Sequence, residues 1–147
     1  MQTEIGKLKR IVLTTGCFDM FHHGHVDYLR RIKEEYPNHS LYVGVADDDS
    51  VRRLKGEKRP IVSEDDRVSM LNACKYVDWA RVFDVFEDGD FAKQIGMKTL
   101  IEMVSPDVFV SGHRHPNRHA HLYLNGTPNE ILYDLSDFTT TQLIGML

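Results

Sequence analysis

One short stretch constrains the fold more than any other, a glycine turn between an apolar run and a helical pattern. The apolar run is Ile11–Leu13, and the helical pattern lasts from about His23 to Tyr36. Between them, from Thr14 to His25, the chain reads Thr-Thr-Gly-Cys-Phe-Asp-Met-Phe-His-His-Gly-His. A strand, a tight turn and a helix start therefore follow one another. Because the first N–H groups of a helix are unpaired and its dipole is positive there, such a turn attracts phosphate.

Two histidines lie at the beginning of this helix. His22 and His25 are three residues apart, and residues at that spacing share a helix face. Gly24 lies between them and leaves room for a ligand to approach the backbone. Two imidazoles and a row of free amides facing one pocket suit a reaction in which negative charge develops on phosphate oxygens. The alternative interpretation is a capped turn with two surface histidines.

Strands alternate with helices along the chain. Strands are predicted at Lys9–Thr15, Leu41–Ala46, Val77–Phe83, Asp107–Val110 and Glu130–Leu135, the last one polar enough for an edge. Helices are predicted after Asp47, after the N-cap Ser63, over Phe91–Val104 and from Thr139 to Leu147. This alternation predicts a doubly wound, Rossmann-like α/β fold, a parallel sheet of about five strands with helices on both faces. The sequence has no GxGxxG fingerprint, which argues against a dinucleotide-binding domain.

This predicted fold places the turns that follow strands together. Ligands of such sheets bind beyond the carboxyl ends of the strands, where the strand order reverses. The turns at Gly16 and Gly112 and the loop before Thr139 are therefore expected to meet at one rim. In the helix after Ser63, the residues expected to face the core are Val68, Met70, Leu71 and Cys74.

Bulk composition is that of a soluble globular protein. The 147 residues suit a single domain, residues 1–147, with a hydrophobic fraction of 41%. The net charge of −4 provides no basic field for nucleic acid. Neither a membrane-spanning apolar run nor a signal-peptide pattern is present, so we expect a cytoplasmic protein without a membrane partner. Cys17 and Cys74 are far apart and form no metal or redox spacing.

A basic segment runs from Arg52 to Pro60 in a chain that is acidic overall. Five of its nine residues are Lys or Arg. It is either an exposed, solvated loop or a mobile clamp over a phosphate-bearing substrate, in which Lys55 and Arg59 contact phosphate. The preceding Asp47–Asp49 could suggest a metal site. Consecutive residues converge poorly on one ion, however, so we favour a capped, solvated helix start.

The run from Gly16 to His25 resembles the signature of the cytidylyltransferase-like nucleotidyltransferases. That family has a Gly-x-Phe-Asp turn followed by an HxGH motif, and this chain reads Gly-Cys-Phe-Asp and then His-His-Gly-His. The family also has a basic loop, an arginine in the next helix, an R-Y-V-D segment and an S-T-T segment. Their places are filled here by Arg53–Pro60, Arg67, Lys75–Asp78 and Thr139–Thr141.

The resemblance implies an enzyme that transfers a nucleoside monophosphate from CTP or ATP to a small phosphomonoester and releases pyrophosphate. It implies His22, His25 and Lys55 as catalytic residues, and Asp19, Arg59 and Lys75 as contacts of the substrate phosphate. The nucleotide-binding residues that it implies are Thr15, Gly16, Cys17, Phe18, Gly24, Gly112, His113, Thr139, Thr140 and Thr141. It further implies nucleotide-bound Mg²⁺ and a homodimer with Lys75–Asp78 near its interface.

The identity of the nucleobase and of the acceptor stays open. The basic loop is most similar to that of the heptose-phosphate branch, which uses ATP, whereas the glycerol-3-phosphate and ethanolamine-phosphate branches use CTP. Lys75 replaces an arginine and so loses a bidentate fork. Ser111–Pro116 lacks the family's Gly-Gly-Asp or Gly-Asp-Asp, and Leu135–Phe138 replaces an Arg and a Gly. These departures keep a second hypothesis open, a nucleotide-binding regulatory module that has lost catalysis.

Four histidines form a cluster beside two arginines, at positions His113, His115, His119 and His121. Imidazole suits zinc or nickel, so a metal site is conceivable. No cysteine or carboxylate joins the cluster locally, and the resembling family does not use protein-bound zinc. A loop for substrate phosphate or nucleotide and a solvated polar loop are the other interpretations.

Overall fold

The structure is a computed structural model that describes residues 9–86, 94–112 and 123–132. These ranges contain five strands and four helices. The strands are β1 (Arg10–Gly16), β2 (His39–Ala46), β3 (Trp79–Phe83), β4 (Val108–Gly112) and β5 (Asn129–Leu132). The helices are α1 (His23–Glu35), α2 (Asp48–Lys55), α3 (Glu64–Ala73) and α4 (Met97–Val104).

The strands form one parallel sheet in the order β3-β2-β1-β4-β5. β1 is central, which explains its continuous apolar run, since Val12 and Leu13 are both fully buried in cores on different faces. β5 lies at the edge that its polar sequence predicts. The strand order reverses between β1 and β4, so the expected ligand crevice lies beyond Gly16 and Gly112 at their carboxyl ends.

Helices cover both faces of the sheet and create two hydrophobic cores. On one face, Leu29 and Ile32 of α1 and Leu71 of α3 are fully buried. On the other face, Val51 of α2 and Leu100 of α4 are fully buried. Each such side chain stabilises the fold by about 2 kcal/mol relative to exposure. The predicted doubly wound α/β fold is therefore confirmed. Within the described ranges, no helix has both the length and the apolar character needed to cross a membrane.

Local capping signals place the starts of α2 and α3. The Asp47 carboxylate accepts the Ser50 N–H at 2.8 Å, and the Ser63 hydroxyl accepts the Asp66 N–H at 3.4 Å. Both side chains occupy N-cap positions with extended backbone. The predicted helix starts at these two positions are confirmed.

The inward face of α3 differs from the prediction. Met70 is 44% exposed, whereas Arg67 is 1% exposed and Leu71 is fully buried. Val68 and Cys74 are only partly buried against the core. The prediction is therefore confirmed for Leu71 and wrong for Met70. It omitted Arg67 because a count of apolar residues passes over an arginine whose charge is satisfied inside the fold.

The predicted bounds of β1 to β4 are shifted by one or two residues, and those of α4 and β5 are shifted as well. α4 begins at Met97, because Gly96 is extended and pairs with Asp84 in a parallel bridge. The predicted start of this helix at Phe91 lies outside the described residues. β5 begins at Asn129, one residue before its predicted start, and its predicted last residues also lie outside the described part, as does the helix expected from Thr139.

Candidate functional site

Gly16 and Phe18 shape the turn that leaves β1. Phe18 is buried with left-handed backbone (φ 53°), a conformation that costs a residue other than glycine about 1–2 kcal/mol. Its ring lies against Gly16, where an added Cβ would be 2.9 Å from Phe18 Cε2. Met20 is left-handed as well (φ 51°). Two such residues turn the chain sharply from the central strand into α1, and only glycine fits beneath the Phe18 ring.

His22 and His25 cap the N-terminus of α1 reciprocally. The Gly24 N–H donates to His22 Nδ1 at 3.0 Å, and the His22 N–H donates to His25 Nδ1 at 3.2 Å. This is a capping box in which imidazole nitrogens replace the usual hydroxyl and carboxylate oxygens. The two rings stack with centroids 3.9 Å apart and 24° between their planes. Because each Nδ1 accepts a hydrogen bond, each neutral ring carries its proton on Nε2.

Burial favours the neutral form of His22. It lowers the pKa of this imidazole below its ordinary value, and the neighbouring His23 lowers it further. His22 Nε2 is buried and has no hydrogen-bond partner among the described residues. A buried donor without an acceptor costs about 1–3 kcal/mol. A ligand oxygen at this atom would remove that cost, so the ring is prepared to donate to an anion.

Two aromatic rings hold His25 in place. Phe21 stacks on the imidazole with centroids 5.6 Å apart, and Phe18 meets it edge-on at 5.4 Å. Together with the cap, these contacts fix the His25 ring in position and orientation. Donors held by packing and by hydrogen bonds need little reorganisation when charge develops on a bound group.

Asp19 binds the end of the basic loop and the two residues that follow it. Its carboxylate accepts the N–H groups of Ile61 and Val62, each at 2.9 Å, and pairs with Arg59 Nε at 2.7 Å. Burial raises the pKa of Asp19, but the two amides and the guanidinium outweigh burial, so the pKa lies below its ordinary value. Asp19 and Arg59 were each predicted to contact substrate phosphate, and in the structure they contact each other.

Arg67 connects several chain segments beneath the turn. Its guanidinium donates to the carbonyls of Cys17 and Ala46, each at 2.7 Å, and to the Val62 carbonyl at 2.9 Å. It also pairs with Asp48 at 2.8 Å. The sequence matched this arginine to a family position but gave it no role. No local pattern in the sequence indicates that this arginine is buried, because its partners come from distant parts of the chain.

Lys55 is exposed at the end of α2, close enough to the turn to act on it electrostatically. Burial raises the pKa of Cys17, and the positive charges of Lys55, Arg67 and Arg59 oppose that rise in part. Three cations therefore surround the half-buried Cys17, directly after the strand that delivers the histidines. The charge of Asp19 acts in the opposite direction, and the pKa of Cys17 stays above its ordinary value.

The structure brings the described candidates to the carboxyl edge of the sheet, with one exception. Gathered there are Thr15, Gly16, Cys17, Phe18, Asp19, His22, Gly24, His25, Lys55, Arg59 and Gly112. Lys75 lies between the end of α3 and the start of β3, at the amino edge. The central strand β1, which is seven residues long, separates the two edges by about 20–25 Å. Lys75 therefore does not join His22 and His25 within one chain.

Several predictions fall on parts of the chain that the structure does not describe. The nucleotide-binding roles of His113, Thr139, Thr140 and Thr141 concern residues outside the described ranges. The same holds for the metal and ligand interpretations of the histidine cluster.

The aspartates before α2 bind protein groups. Asp47 caps the helix, Asp48 pairs with Arg67, and Asp49 pairs with Arg52 at 2.6 Å. Among the residues described, no group of three His, Cys, Asp or Glu side chains could hold a metal ion. The capped helix start, which we favoured over a metal site, is what the structure contains.

Known proteins are similar to this chain in sequence. The bifunctional protein HldE of Campylobacter concisus is 45% identical over 104 residues, which are 71% of this chain and 20% of that protein. HldE of Helicobacter pylori is 42% identical over 110 residues, 75% of this chain and 22% of that protein. The chain thus spans about a fifth of the length of these curated relatives.

Solved structures share the fold. The crystal structure of the lipopolysaccharide core biosynthesis protein from Thermoplasma volcanium aligns with a TM-score of 0.65 and 28% identity, covering 88% of this chain and 98% of that one.

The family model described as cytidylyltransferase-like matches residues 13–124, from β1 to just before β5. With the Gly-x-Phe-Asp turn and the paired histidines in place within this match, the chain belongs to the cytidylyltransferase-like family.

Proposed function

We propose that this chain is a nucleotidyltransferase domain that transfers a nucleoside monophosphate from a nucleoside triphosphate to a small phosphomonoester. An oxygen of the acceptor phosphate attacks the α-phosphorus, and a new phosphorus–oxygen bond forms. The bond between the α-phosphorus and the bridging oxygen breaks, and pyrophosphate leaves. The acceptor is already an anion, so the reaction needs neither a protein nucleophile nor a general base. The protein contributes position and charge stabilisation.

The reciprocal histidine cap is the observation that carries this proposal. It fixes both imidazoles at the positive end of α1 with Nδ1 facing the backbone. Each neutral ring thus carries its single N–H donor at Nε2. We infer that these two N–H groups bind α-phosphate oxygens and strengthen their hydrogen bonds as those oxygens gain charge. Losing one such donor typically lowers kcat by about 10²–10³-fold.

The cations at the rim complete the proposed site. Lys55 would bind the leaving pyrophosphate or the acceptor phosphate, because its charge already acts on the turn that holds the histidines. The triphosphate would arrive as its Mg²⁺ complex, with the ion bound mostly by phosphate oxygens and water. In this proposal Mg²⁺ belongs to the substrate.

ATP with a sugar phosphate is the substrate pair that we propose first. The basic loop resembles that of the heptose-phosphate branch, which uses ATP. In addition, the chain is similar to HldE proteins and to a structure described as a lipopolysaccharide core biosynthesis protein. CTP with a polyol phosphate is the second pair, since the family model is described as cytidylyltransferase-like. We also propose a homodimer, in which Lys75 at the amino edge would contact a second copy.

The test is a pyrophosphate-release assay with purified protein and Mg²⁺. The four common nucleoside triphosphates are each paired with heptose 1-phosphate, glycerol 3-phosphate and phosphoethanolamine. We expect turnover with one nucleotide and one acceptor well above all other pairs. Circular dichroism confirms that the sample is folded. His25→Ala serves as the inactive control, with a loss of about a hundredfold or more.

Two negative results have different meanings. Calorimetry that shows nucleotide binding without turnover for any pair would favour the regulatory module that has lost catalysis. Absence of both binding and turnover, from folded protein, would refute a nucleotide site at the histidine pair.

A further inference from the structure

Asp19 organises a segment that lies about forty positions later in the sequence. The side chain is 1% exposed, and both of its oxygens are used. Oδ1 accepts the Val62 N–H at 2.9 Å, and Oδ2 accepts Arg59 Nε at 2.7 Å. The Ile61 N–H lies between them, 2.9 Å from Oδ2 and 3.1 Å from Oδ1. One buried carboxylate thus anchors residues 59–62 to the turn after β1.

Arg59 is buried and paired with a carboxylate, unlike a solvent-exposed cation that is available to bind substrate. Only 8% of the residue is exposed, and its Nε donates to Asp19 in the interior. Breaking a buried ion pair by removing one partner is costly because the other charge is left uncompensated. A phosphate that recruited Arg59 would have to compete with this carboxylate.

A second cation holds the same segment from the other side. Arg67 Nε donates to the Val62 carbonyl, and its Nη1 donates to the carbonyl of Cys17, two residues before Asp19. Residues 59–62 are therefore fixed at both an N–H and a carbonyl. The segment closes the basic loop, whose other end is Lys55 at the end of α2.

We propose that Asp19 and Arg59 are positioning residues, which anchor the basic loop to the turn after β1 so that Lys55 faces the triphosphate. This inference rests on the proposed function for its kinetic part. In this proposal, the Asp of the Gly-x-Phe-Asp turn acts by holding the basic loop in place. Arg59 pairs with this Asp and does not contact phosphate directly. The loop is then ordered before substrate binds, which lowers the entropy lost on binding.

The test compares Asp19→Asn, Arg59→Gln and the double variant with wild type. Amide hydrogen exchange is measured by NMR, and KM and kcat are measured with the active substrate pair. We expect the Ile61 and Val62 amides to exchange about tenfold faster or more in both single variants, a change equivalent to about 1.4 kcal/mol. The amides of Leu29 and Ile32, on the buried face of α1, should keep their protection.

The kinetic expectation is non-additivity. Each single variant should raise KM for the triphosphate by about tenfold with a smaller change in kcat, and the double variant should be no worse than the worse single one. Arg30→Gln is the matched control, since it removes an exposed arginine that pairs with Glu34 at 2.8 Å. It should change neither exchange nor KM.

Several outcomes would overturn the proposal. One is unchanged Ile61 and Val62 exchange in Arg59→Gln, a reading that stands even if Asp19→Asn does not fold. Another is a raised KM in Arg59→Gln with none in Asp19→Asn, which would make Arg59 a direct phosphate ligand. The exchange measurement needs no substrate. If wild type lacks turnover, the proposed function fails, and the anchoring by Asp19 and Arg59 is judged separately.

Discussion

His22 performs two tasks with two nitrogens, and two substitutions separate them. Nδ1 accepts the Gly24 N–H and caps α1, whereas Nε2 is the buried donor without a partner among the described residues. Asparagine places its side-chain oxygen near the position of Nδ1 and has nothing at Nε2. Glutamine places an amide nitrogen near Nε2 and loses the geometry of the cap. We expect His22→Asn to lose activity and keep stability. His22→Gln should lose stability and keep more of its activity.

The magnitudes follow from each contact. Asparagine is among the best N-cap residues, so His22→Asn should change the free energy of unfolding by less than about 0.5 kcal/mol. Loss of the donor should lower kcat by about 10²–10³-fold, or about 2.7–4 kcal/mol of transition-state stabilisation. Loss of the cap in His22→Gln should cost about 1 kcal/mol of stability. Its kcat should fall by roughly tenfold, because the donor remains but is less well fixed.

Urea unfolding and steady-state pyrophosphate release measure the two effects. His23→Gln is the control, since the His23 side chain is 82% exposed and its Nε2 contacts Asp27 at 3.0 Å. The control should leave kcat within about twofold of wild type, because the His23 side chain is largely in solvent. If His22→Asn retained most of the wild-type kcat, Nε2 would not be a catalytic donor. If His22→Gln were fully stable, the cap would contribute nothing and the argument for a fixed tautomer would fail.

Two further predictions follow from the same rim. Gly16→Ala places a Cβ 2.9 Å from the Phe18 ring, so it should cost about 1–3 kcal/mol in urea unfolding and also lower kcat/KM, because Phe18 packs on His25. Full stability of this variant would contradict the close contact. Asp47→Asn should raise the melting temperature at pH 7, because burial raises the pKa of Asp47 and the ionised form is disfavoured in the fold, while asparagine keeps the cap. The gain should shrink as pH falls through the raised folded pKa towards the ordinary Asp value of about 3.9, since wild-type Asp47 is then protonated, and a gain that persisted there would refute this cause.

The sequence predicted what local signals determine. The apolar run of β1, the caps Asp47 and Ser63 and the polar edge strand each act over a few residues. Alternation of strands and helices then limits the topology, because crossovers between parallel strands have a fixed hand. The same alternation also predicts the direction of α3. The crossover between two parallel strands returns to the amino edge of the sheet, so the sequence alone could have placed Lys75 there.

Long-range pairing of charges was not predictable from periodicity. Arg67 occupies a core position, and the pattern of apolar residues therefore selected Met70 as an inward residue. Only the folded chain brings the carbonyls of Cys17 and Ala46 within reach of that guanidinium. The reciprocal cap was missed for another reason, since histidine is not among the residues that usually cap helices. Its Nδ1 can accept as a serine oxygen does, which the motif spacing alone does not reveal.

The contacts of Asp19 in the turn after β1 contribute little net stability. Asp19 accepts two backbone N–H groups and a guanidinium, and hydrogen bonds to a charged group contribute about 1.5–3 kcal/mol each. Ordering the backbone of residues 59–62 costs about 1–2 kcal/mol per residue, so the two contributions nearly balance. A buried ion pair is weak evidence for stability, and apolar substitutes would often serve that purpose better. We therefore explain the arrangement by geometry: in the proposed function, it fixes the basic loop in advance, and Lys55 and His22 Nε2 would face phosphate.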